Sequence, residues 1–316
     1  MQFKKPNFWD YKKPNFLAII LIPLTFITSA INYFKTFKKK SKFGKIKSIC
    51  VGNIYIGGTG KTPLTLKLYE IISKLNISVV TAKKYYPNQK DERLLLEQNS
   101  SFISTQKRSY AIKQAINRNI HTIIFDDGLQ ESSFEYDLKC VCFKTENWIG
   151  NGMLIPSGPL RDKINCLKNF DIVFLNGHLE TDNKIIKEIK SINSKIKIFK
   201  TEYVPKNLEI FDKNLKYMMF SGIGDPKSFR NILKINNLDI IEEIVFPDHY
   251  EYKEKDLIKL IERAKKLNAK LITTEKDYTK VSKEYSKYID VFKIDLIIHN
   301  QDDLVKFLKK KLYEKN

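Results

Sequence analysis

Between Gly52 and Pro63 the chain reads GNIYIGGTGKTP. Its second half sets three glycines, a lysine and a hydroxyl in the order that a nucleoside triphosphate site requires. Glycines carry no Cβ, so the backbone can curl around an anion with several N–H groups turned inward, and the helix that follows adds the positive end of its dipole. In such a loop Lys61 reaches the β- and γ-phosphates, and the Thr62 hydroxyl ligates the magnesium that travels with them. The predicted ATP-binding stretch is Tyr55, Ile56, Gly57, Gly58, Thr59, Gly60, Lys61 and Thr62, with Tyr55 where the usual G-x-x-x-x-G-K-[ST] pattern has its first glycine.

Further groups could add metal and proton chemistry. The apolar run HTIIFDDG delivers Asp126 and Asp127 at its end, where a parallel strand places a second magnesium ligand; the same Asp-Asp-Gly also makes an ordinary turn. Asp91 and Glu92 lie in a polar loop between a strand and a helix, a position that also suits acidic residues at a solvated helix N-terminus. His249, in FPDHYEY, follows a strand and precedes a helix, where a histidine is also an ordinary structural residue. The guanine-reading signature is not met: in TTEKDY, Thr274-Glu275-Lys276-Asp277, the lysine comes one place late.

These groups need a frame. KIKSICVGN reads as a short strand and KTPLTLKLYEIISKL as an amphipathic helix with Leu64, Leu66, Leu68, Ile71, Ile72 and Leu75 on its apolar face and Pro63 in its first turn. Strands then interleave with helices (ISVVTAKK, SFISTQ, RSYAIKQAINR, HTIIFDDG, LKCVCF, FDIVFLN, KIIKEIKSI), which predicts an α/β, P-loop NTPase-like, mostly parallel sheet with helices on both faces. The pattern resets near Pro205–Lys216 and continues as a smaller C-terminal αβ domain. The predicted divisions are 1–44 for an N-terminal membrane-associated segment, 45–207 for the P-loop core and 208–316 for the second domain.

The N-terminal segment contains NFLAIILIPLTFITSAINYF, Asn15 to Phe34, twenty residues without a charge and about the length that spans a bilayer. Lys12 and Lys13 precede it; Lys35, Lys38, Lys39, Lys40 and Lys42 follow, which predicts a main body on the cytoplasmic side against anionic lipid. Pro23, Thr25, Thr28, Ser29 and Asn32 leave open whether it crosses the membrane, lies in its surface or is a buried core helix. The chain carries +20 at neutral pH, but only six of its 56 basic residues are arginine, so a diffuse lysine excess points to a membrane surface or a phosphorylated substrate rather than to nucleic acid. Four cysteines without a C-x-x-C pair read as buried, reduced thiols in a reducing compartment.

Taken together, the apolar N-terminal segment, VGNIYIGGTGKTP, KDERLL, FDDGLQ, GNGMLIPSGPLRD, SGIGDPKSF, FPDHY and TTEKD resemble, in order, the tetraacyldisaccharide 4'-kinases, the lipid A 4'-kinases of Gram-negative bacteria. In that family the first P-loop glycine is habitually absent. The resemblance implies transfer of the ATP γ-phosphate to the 4'-hydroxyl of a tetraacyldisaccharide 1-phosphate, giving lipid IVA at the cytoplasmic face of the inner membrane. ATP and Mg2+ are the implied cofactors and the lipid A disaccharide precursor is the implied partner, with the inner-membrane lipid surface beneath it. No nucleic acid and no obligate protein partner are expected. By resemblance Asp91 is the base, His249 pairs with it, Glu92 is a further magnesium ligand beside Thr62 and Asp126 or Asp127, and Arg161 meets a phosphate of substrate or nucleotide. A pairing of Asp91 with His249 predicts interdomain closure on binding.

The departures from the family fall on the acceptor side. Its Ser-Arg-Gly-Tyr is Ala82-Lys83-Lys84-Tyr85 here, Lys90 and Arg93 flank Asp91-Glu92 in place of Gly and Pro, and Glu131 stands where a His is usual. The competing reading is a membrane-tethered P-loop ATPase switch or assembly factor, which predicts ATP hydrolysis unaffected by lipid and indifferent to Asp91. A basic nucleic-acid-binding ATPase predicts steep salt-dependent binding to DNA or RNA.

Overall fold

The structure, a computed structural model, describes residues 5–37, 40–42, 44–129, 131, 134–177 and 182–313. Lys38 and Lys39 of the basic flank lie outside them. The chain divides into two compact units that interleave along the sequence: one joins Tyr86–Asn99 to Tyr203–Leu296, and the other comprises Lys5–Tyr85, Ser100–Glu202 and the chain from Ile297 on. The predicted blocks 45–207 and 208–316 therefore differ from these units at residues 86–99, at 203–207 and beyond Leu296.

The N-terminal apolar run forms two helices, α1 (Phe16–Ile20) and α2 (Ile22–Thr36), in place of one continuous span. Pro23 has no N–H to give to the Ile19 carbonyl and its ring crowds that turn, so the chain breaks at Leu21. The fifteen residues of α2 extend about 22 Å at 1.5 Å per residue. No helix among the described residues is long and apolar enough to cross a membrane.

Eight strands form the larger sheet. They are β1 (Lys47–Gly52), β2 (Val79–Lys84), β3 (Phe102–Thr105), β4 (Thr122–Asp126), β5 (Leu138–Lys144), β6 (Ile172–Asn176), β7 (Lys197–Pro205) and a late strand, Ile294–Ile298, in the order late strand-β7-β6-β5-β1-β4-β2-β3. From β7 to β3 every neighbouring pair is parallel. Parallel strands are buried on both faces and so read as continuous apolar runs: Ile49, Cys50 and Val51, and Ile123, Ile124 and Phe125, are each 0% exposed.

The glycine loop leads into α3 (Lys61–Ser73), which packs on β1, β2 and β4. The opposite face carries the helix Arg108–Asn117, whose Ile112 and Ala115 join Cys50, Val80 and Phe125, and the helix Asp182–Ile192, whose Ile185 and Ile189 join Val141, Phe143 and Val173. The three cysteines Cys50, Cys140 and Cys142 are buried and unbridged, and burial pushes the Cys50 thiol up to about 12.

The second unit contains α4 (Lys90–Asn99) and a smaller parallel sheet made of β8 (Lys216–Ser221), β9 (Asp239–Val245), β10 (Lys270–Thr274) and β11 (Ile289–Phe292), in the order β11-β10-β8-β9. Counted in chain order, the helices after α4 are α5 (Arg108–Asn117), α6 (Asp182–Ile192), α7 (Pro226–Ile235), α8 (Glu254–Lys266), α9 (Glu275–Tyr278), α10 (Lys283–Ser286) and α11 (Gln301–Leu312), and the late strand is β12. Alternation along β8 directs Tyr217 and Met219 to Phe229 and Leu233 of α7, and Met218 and Phe220 to Leu257, Leu260 and Ile261 of α8.

Candidate active site

In the larger unit the strand order sets β4 between β1 and β2, with Val51 opposite Asp126 and Asp126 opposite Lys83. The glycine loop, both aspartates and Lys83 thus collect at the carboxyl ends of adjacent parallel strands, where open α/β sheets bind ligands. Gly60, at φ +89°, is the residue before α3, a left-handed conformation that a side chain would strain. The buried Asn53 side-chain amide donates to the Tyr55 carbonyl at 2.5 Å and the Gly57 carbonyl at 3.3 Å, bracing the loop from below. Thr59 is 3% exposed and its hydroxyl has no partner among the described residues, an orphaned donor in the loop that is predicted to meet phosphate.

Asp126 is 0% exposed and saturated with donors: Thr62 Oγ1 at 2.9 Å, Lys83 Nζ at 2.8 Å and Thr65 Oγ1 at 3.3 Å. Asp127 differs. It adopts φ +56°, its carboxylate is partly exposed, and Arg161 Nη1 at 3.4 Å and Lys61 Nζ at 4.0 Å face one oxygen. A non-glycine residue held in that region marks a place where the surroundings override the local preference. No three His, Cys, Asp or Glu side chains gather as a metal cage among the described residues. That donor set fits magnesium, which takes one or two protein oxygens together with substrate phosphates: Thr62 with Asp126 or Asp127 would hold it.

Tyr55 and Ile56 turn out to be a brace. Ile56 N–H donates to the Pro159 carbonyl at 2.9 Å and Arg161 N–H to the Ile54 carbonyl at 2.6 Å, so the Pro-Ser-Gly-Pro-Leu-Arg segment pairs with the start of the glycine loop. The Tyr55 ring is buried against Leu154 and Leu160, and its hydroxyl meets Asp10 and Lys5. The same segment receives the N-terminal helix: Thr28 Oγ1 donates to the Ile155 carbonyl and Asn32 Nδ2 to the Arg161 carbonyl, both at 2.7 Å. Two of the polar residues that interrupt the apolar run, Thr28 and Asn32, therefore face protein, while Phe16, Phe26, Ile27, Ile31 and Phe34 are more than half exposed.

The smaller unit holds the second cluster. Asp91, expected in a loop, sits in the first turn of α4 and is 1% exposed. His249 Nδ1 lies 2.8 Å from Asp91 Oδ1 and 3.0 Å from Oδ2, and the Glu92 N–H donates to Oδ1 at 2.8 Å. Both members belong to one unit, so their hydrogen bond forms within it and carries no requirement for closure between units. His249 has φ +60°, again a left-handed non-glycine residue. Lys276 Nζ is 3.5 Å from Asp91, 3.4 Å from Glu92 and 3.3 Å from Asp248, and Lys280 Nζ is 3.6 Å from Asp91. Burial, the largest influence, pushes the Asp91 carboxyl up, but the His249 hydrogen bond and the charges of Lys276, His249 and Lys280 together hold it below the ordinary aspartate range. Asp91 is therefore a carboxylate at neutral pH.

The sequence thus named Lys61, Thr62, Asp126, Asp127 and Arg161, which gather in one unit, and Asp91, Glu92 and His249, which gather in the other. It missed Lys83 as the partner of Asp126, and Lys276, Lys280 and Asp248 around Asp91. A buried lysine next to a carboxylate has no local signature; the nearest signal was the apolar run up to Lys83, which announces a strand buried on both faces.

A sequence profile of the tetraacyldisaccharide-1-P 4'-kinase family matches residues 17–313. Among curated proteins the chain is similar to the tetraacyldisaccharide 4'-kinase of Pelagibacter ubique (strain HTCC1062), 48% identical over 316 residues and 100% of both chains. It is also similar to that of Rickettsia felis, 33% identical over 98% of this chain and 97% of the relative. Among solved structures it resembles the "apo" form of LpxK from Aquifex aeolicus in complex with ATP, with a TM-score of 0.70 and 20% identity over 94% of this chain and 100% of that one, a likeness of fold.

Proposed function

The chain belongs to the tetraacyldisaccharide-1-P 4'-kinase family, and on that premise we propose a division of labour between its two residue clusters in transferring the ATP γ-phosphate to the 4'-hydroxyl of a tetraacyldisaccharide 1-phosphate. It is an ATP-dependent kinase of lipid A biosynthesis. The Asp91–His249 hydrogen bond carries the assignment of roles, because a hydroxyl acceptor must lose a proton and a simple ATPase needs no buried carboxylate–imidazole pair for a sugar.

Phosphoryl transfer asks for positioning and charge neutralisation more than covalent chemistry. Lys61 and the loop N–H groups face the transferred phosphate, and Arg161, beside Asp127, adds a planar guanidinium suited to phosphate oxygens. Thr62, with Asp126 or Asp127, would hold magnesium, which would supply charge neutralisation at the phosphate oxygens. Lys83 pairs with the buried Asp126 carboxylate and, with Thr65, holds it in place. Asp91 accepts the proton of the acceptor hydroxyl, and His249, hydrogen-bonded through Nδ1, orients the carboxylate and shares the proton. Glu92 is a further candidate ligand for magnesium.

A multiply acylated acceptor stays with its bilayer, and the apolar outward face of α1 and α2 fits a helix pair lying in the cytoplasmic surface of the inner membrane. The docked polar face supports that placement over a transmembrane one. Transfer of labelled γ-phosphate from ATP to tetraacyldisaccharide 1-phosphate in detergent micelles, wild type against Asp91→Ala, tests the reading. Labelled lipid from wild type and almost none from the variant supports it; ATP turnover without labelled lipid would sink it in favour of the ATPase switch.

A further inference from the structure

Thr274 to Asp277, the stretch that fails as a guanine-reading signature, joins β10 to α9 and buries its last carboxylate. Asp277 is 0% exposed and collects four donors: the Gly222 N–H at 3.0 Å, the Tyr252 hydroxyl at 3.0 Å, Thr274 Oγ1 at 2.9 Å and Lys280 Nζ at 2.7 Å. A buried carboxylate is tolerated when it is paired and hydrogen-bonded in this way. Two of those donors lead to the turn that carries His249.

That turn is tied to the end of β8 and its surroundings at three points. Phe246 N–H donates to the Ser221 carbonyl at 2.8 Å. His249 N–H donates to the Gly222 carbonyl at 3.1 Å, shared with Asp248 Oδ1 at 3.0 Å. Tyr252, its ring edge-on to Phe220 and Phe246, reaches Asp277. His249 stands midway between the outer two ties, and Tyr250 N–H closes the turn on the Pro247 carbonyl at 3.1 Å. A histidine at φ +60° occupies a region that side-chain-bearing residues visit rarely, so its surroundings must hold it there. The middle tie is as firm as Gly222, whose N–H is fixed by Asp277 and whose carbonyl also meets Lys280 Nζ at 3.4 Å. The fit around Gly222 is tight: a Cβ there would lie 3.1 Å from the Pro247 carbonyl oxygen, 3.2 Å from the Tyr252 hydroxyl and 3.3 Å from Asp277 Oδ1.

We propose that Asp277 is a positioning residue of the acceptor step: through Gly222 on one side and Tyr252 on the other, it fixes the turn that aims the His249 imidazole at Asp91. The inference rests on the reading of Asp91 and His249 as the proton-accepting pair. All five residues belong to the same unit, so the strut works within it. A displacement of the imidazole by about 1 Å breaks its bond to Asp91, and misplacement on that scale costs up to about a hundredfold in rate.

The test uses the full chain in detergent micelles with ATP and tetraacyldisaccharide 1-phosphate, and follows His249 directly by 15N NMR after histidine labelling. The chain has four histidines, and the His249 Nδ1 signal is the one absent from His249→Ala. Asp277→Asn weakens the strut, and Gly222→Ala crowds it with every charge in place. Tyr252→Phe, which removes a single hydroxyl, stands in for either variant that fails to fold. Each is expected to shift the His249 Nδ1 signal with the other histidines unmoved and to lower kcat about tenfold or more. KM for ATP and for the lipid should stay within about threefold. Added to His249→Ala, each should lower the residual rate by less than about twofold, because a residue that acts through the imidazole then has nothing to act on. An unmoved His249 signal, a wild-type kcat, or losses that multiply in the double variants overturn the proposal. Wild-type lipid phosphorylation by His249→Ala removes the underlying pair, whereas an impaired His249→Ala beside an unmoved His249 signal in Asp277→Asn removes only the role of Asp277.

Discussion

The Asn32 side-chain amide donates to the backbone carbonyl of Arg161, 129 residues away, at 2.7 Å. Arg161 at once gives its own N–H to Ile54 and its guanidinium to Asp127, so one residue joins the apolar N-terminal helix, the start of the glycine loop and the aspartate at the end of β4. Asn32→Ala should lower unfolding stability by about 1 kcal/mol, the net worth of one such bond, and raise the KM for ATP as Arg161 loosens. Urea unfolding and steady-state kinetics read both; an unchanged KM would show that the helix is docked without bearing on the nucleotide.

On the outward face of the same helix, Phe26 is 70% and Ile27 60% exposed. Changing both to aspartate should leave unfolding stability unaltered and reduce binding to anionic phospholipid vesicles, read by co-sedimentation, by about a hundredfold or more, since each large apolar side chain adds about 1.5–3 kcal/mol when it leaves water. Binding that persists in the double variant would place the membrane contact elsewhere.

Lys83 and Asp126 form a buried ion pair, 3% and 0% exposed at the side chains. Removing one partner of such a pair strands the other charge, so Lys83→Met should cost about 3–5 kcal/mol of stability, and adding Asp126→Asn should recover much of it while leaving the enzyme inactive. Thermal unfolding of the two variants decides this; additive losses would mean that the pair is not coupled.

Gly60 sits at φ +89° immediately before Lys61. Gly60→Ala forces a Cβ into a left-handed conformation at a cost of about 1–2 kcal/mol and displaces the loop N–H groups, so ATP affinity should fall about tenfold or more while the pH dependence of the remaining activity stays that of wild type. Calorimetric titration with an ATP analogue checks the first part, and a pH–rate profile the second.

Asp91 has its carboxyl held below the ordinary aspartate value of 3.8. A lowered folded-state value means that the stabilising contribution is complete above 3.8 and disappears as pH falls through the folded value. The stability gap between wild type and Asp91→Asn should therefore stay constant from pH 7 down to about pH 4 and shrink in more acid solution. A gap that already narrows near pH 6 would assign the stabilisation to another titrating group.

Some of this protein was written in short stretches of sequence. A phosphate loop binds through consecutive backbone N–H groups at a helix start, so Gly57 to Thr62 carries its meaning locally, and a parallel sheet buries both faces of its strands, so β1, β4 and β8 announce themselves as apolar runs. The tertiary structure decided the rest. The start of α4 was legible only as one of two readings of Asp91 and Glu92, because its buried face includes Asp91, a charge made tolerable by His249, 158 residues away, and by Lys276 and Lys280. The partners of Asp126 and of Glu92 lie 43 and 184 residues away in Lys83 and Lys276, beyond any window of local pattern. The break at Leu21 needed only Pro23, whereas the use of Thr28 and Asn32 to dock the helix needed carbonyls from the other end of the unit. Local propensity fixes which segments are regular, and long-range charge and hydrogen-bond pairing fixes which polar residues are buried. The chemistry of this enzyme rests on the second.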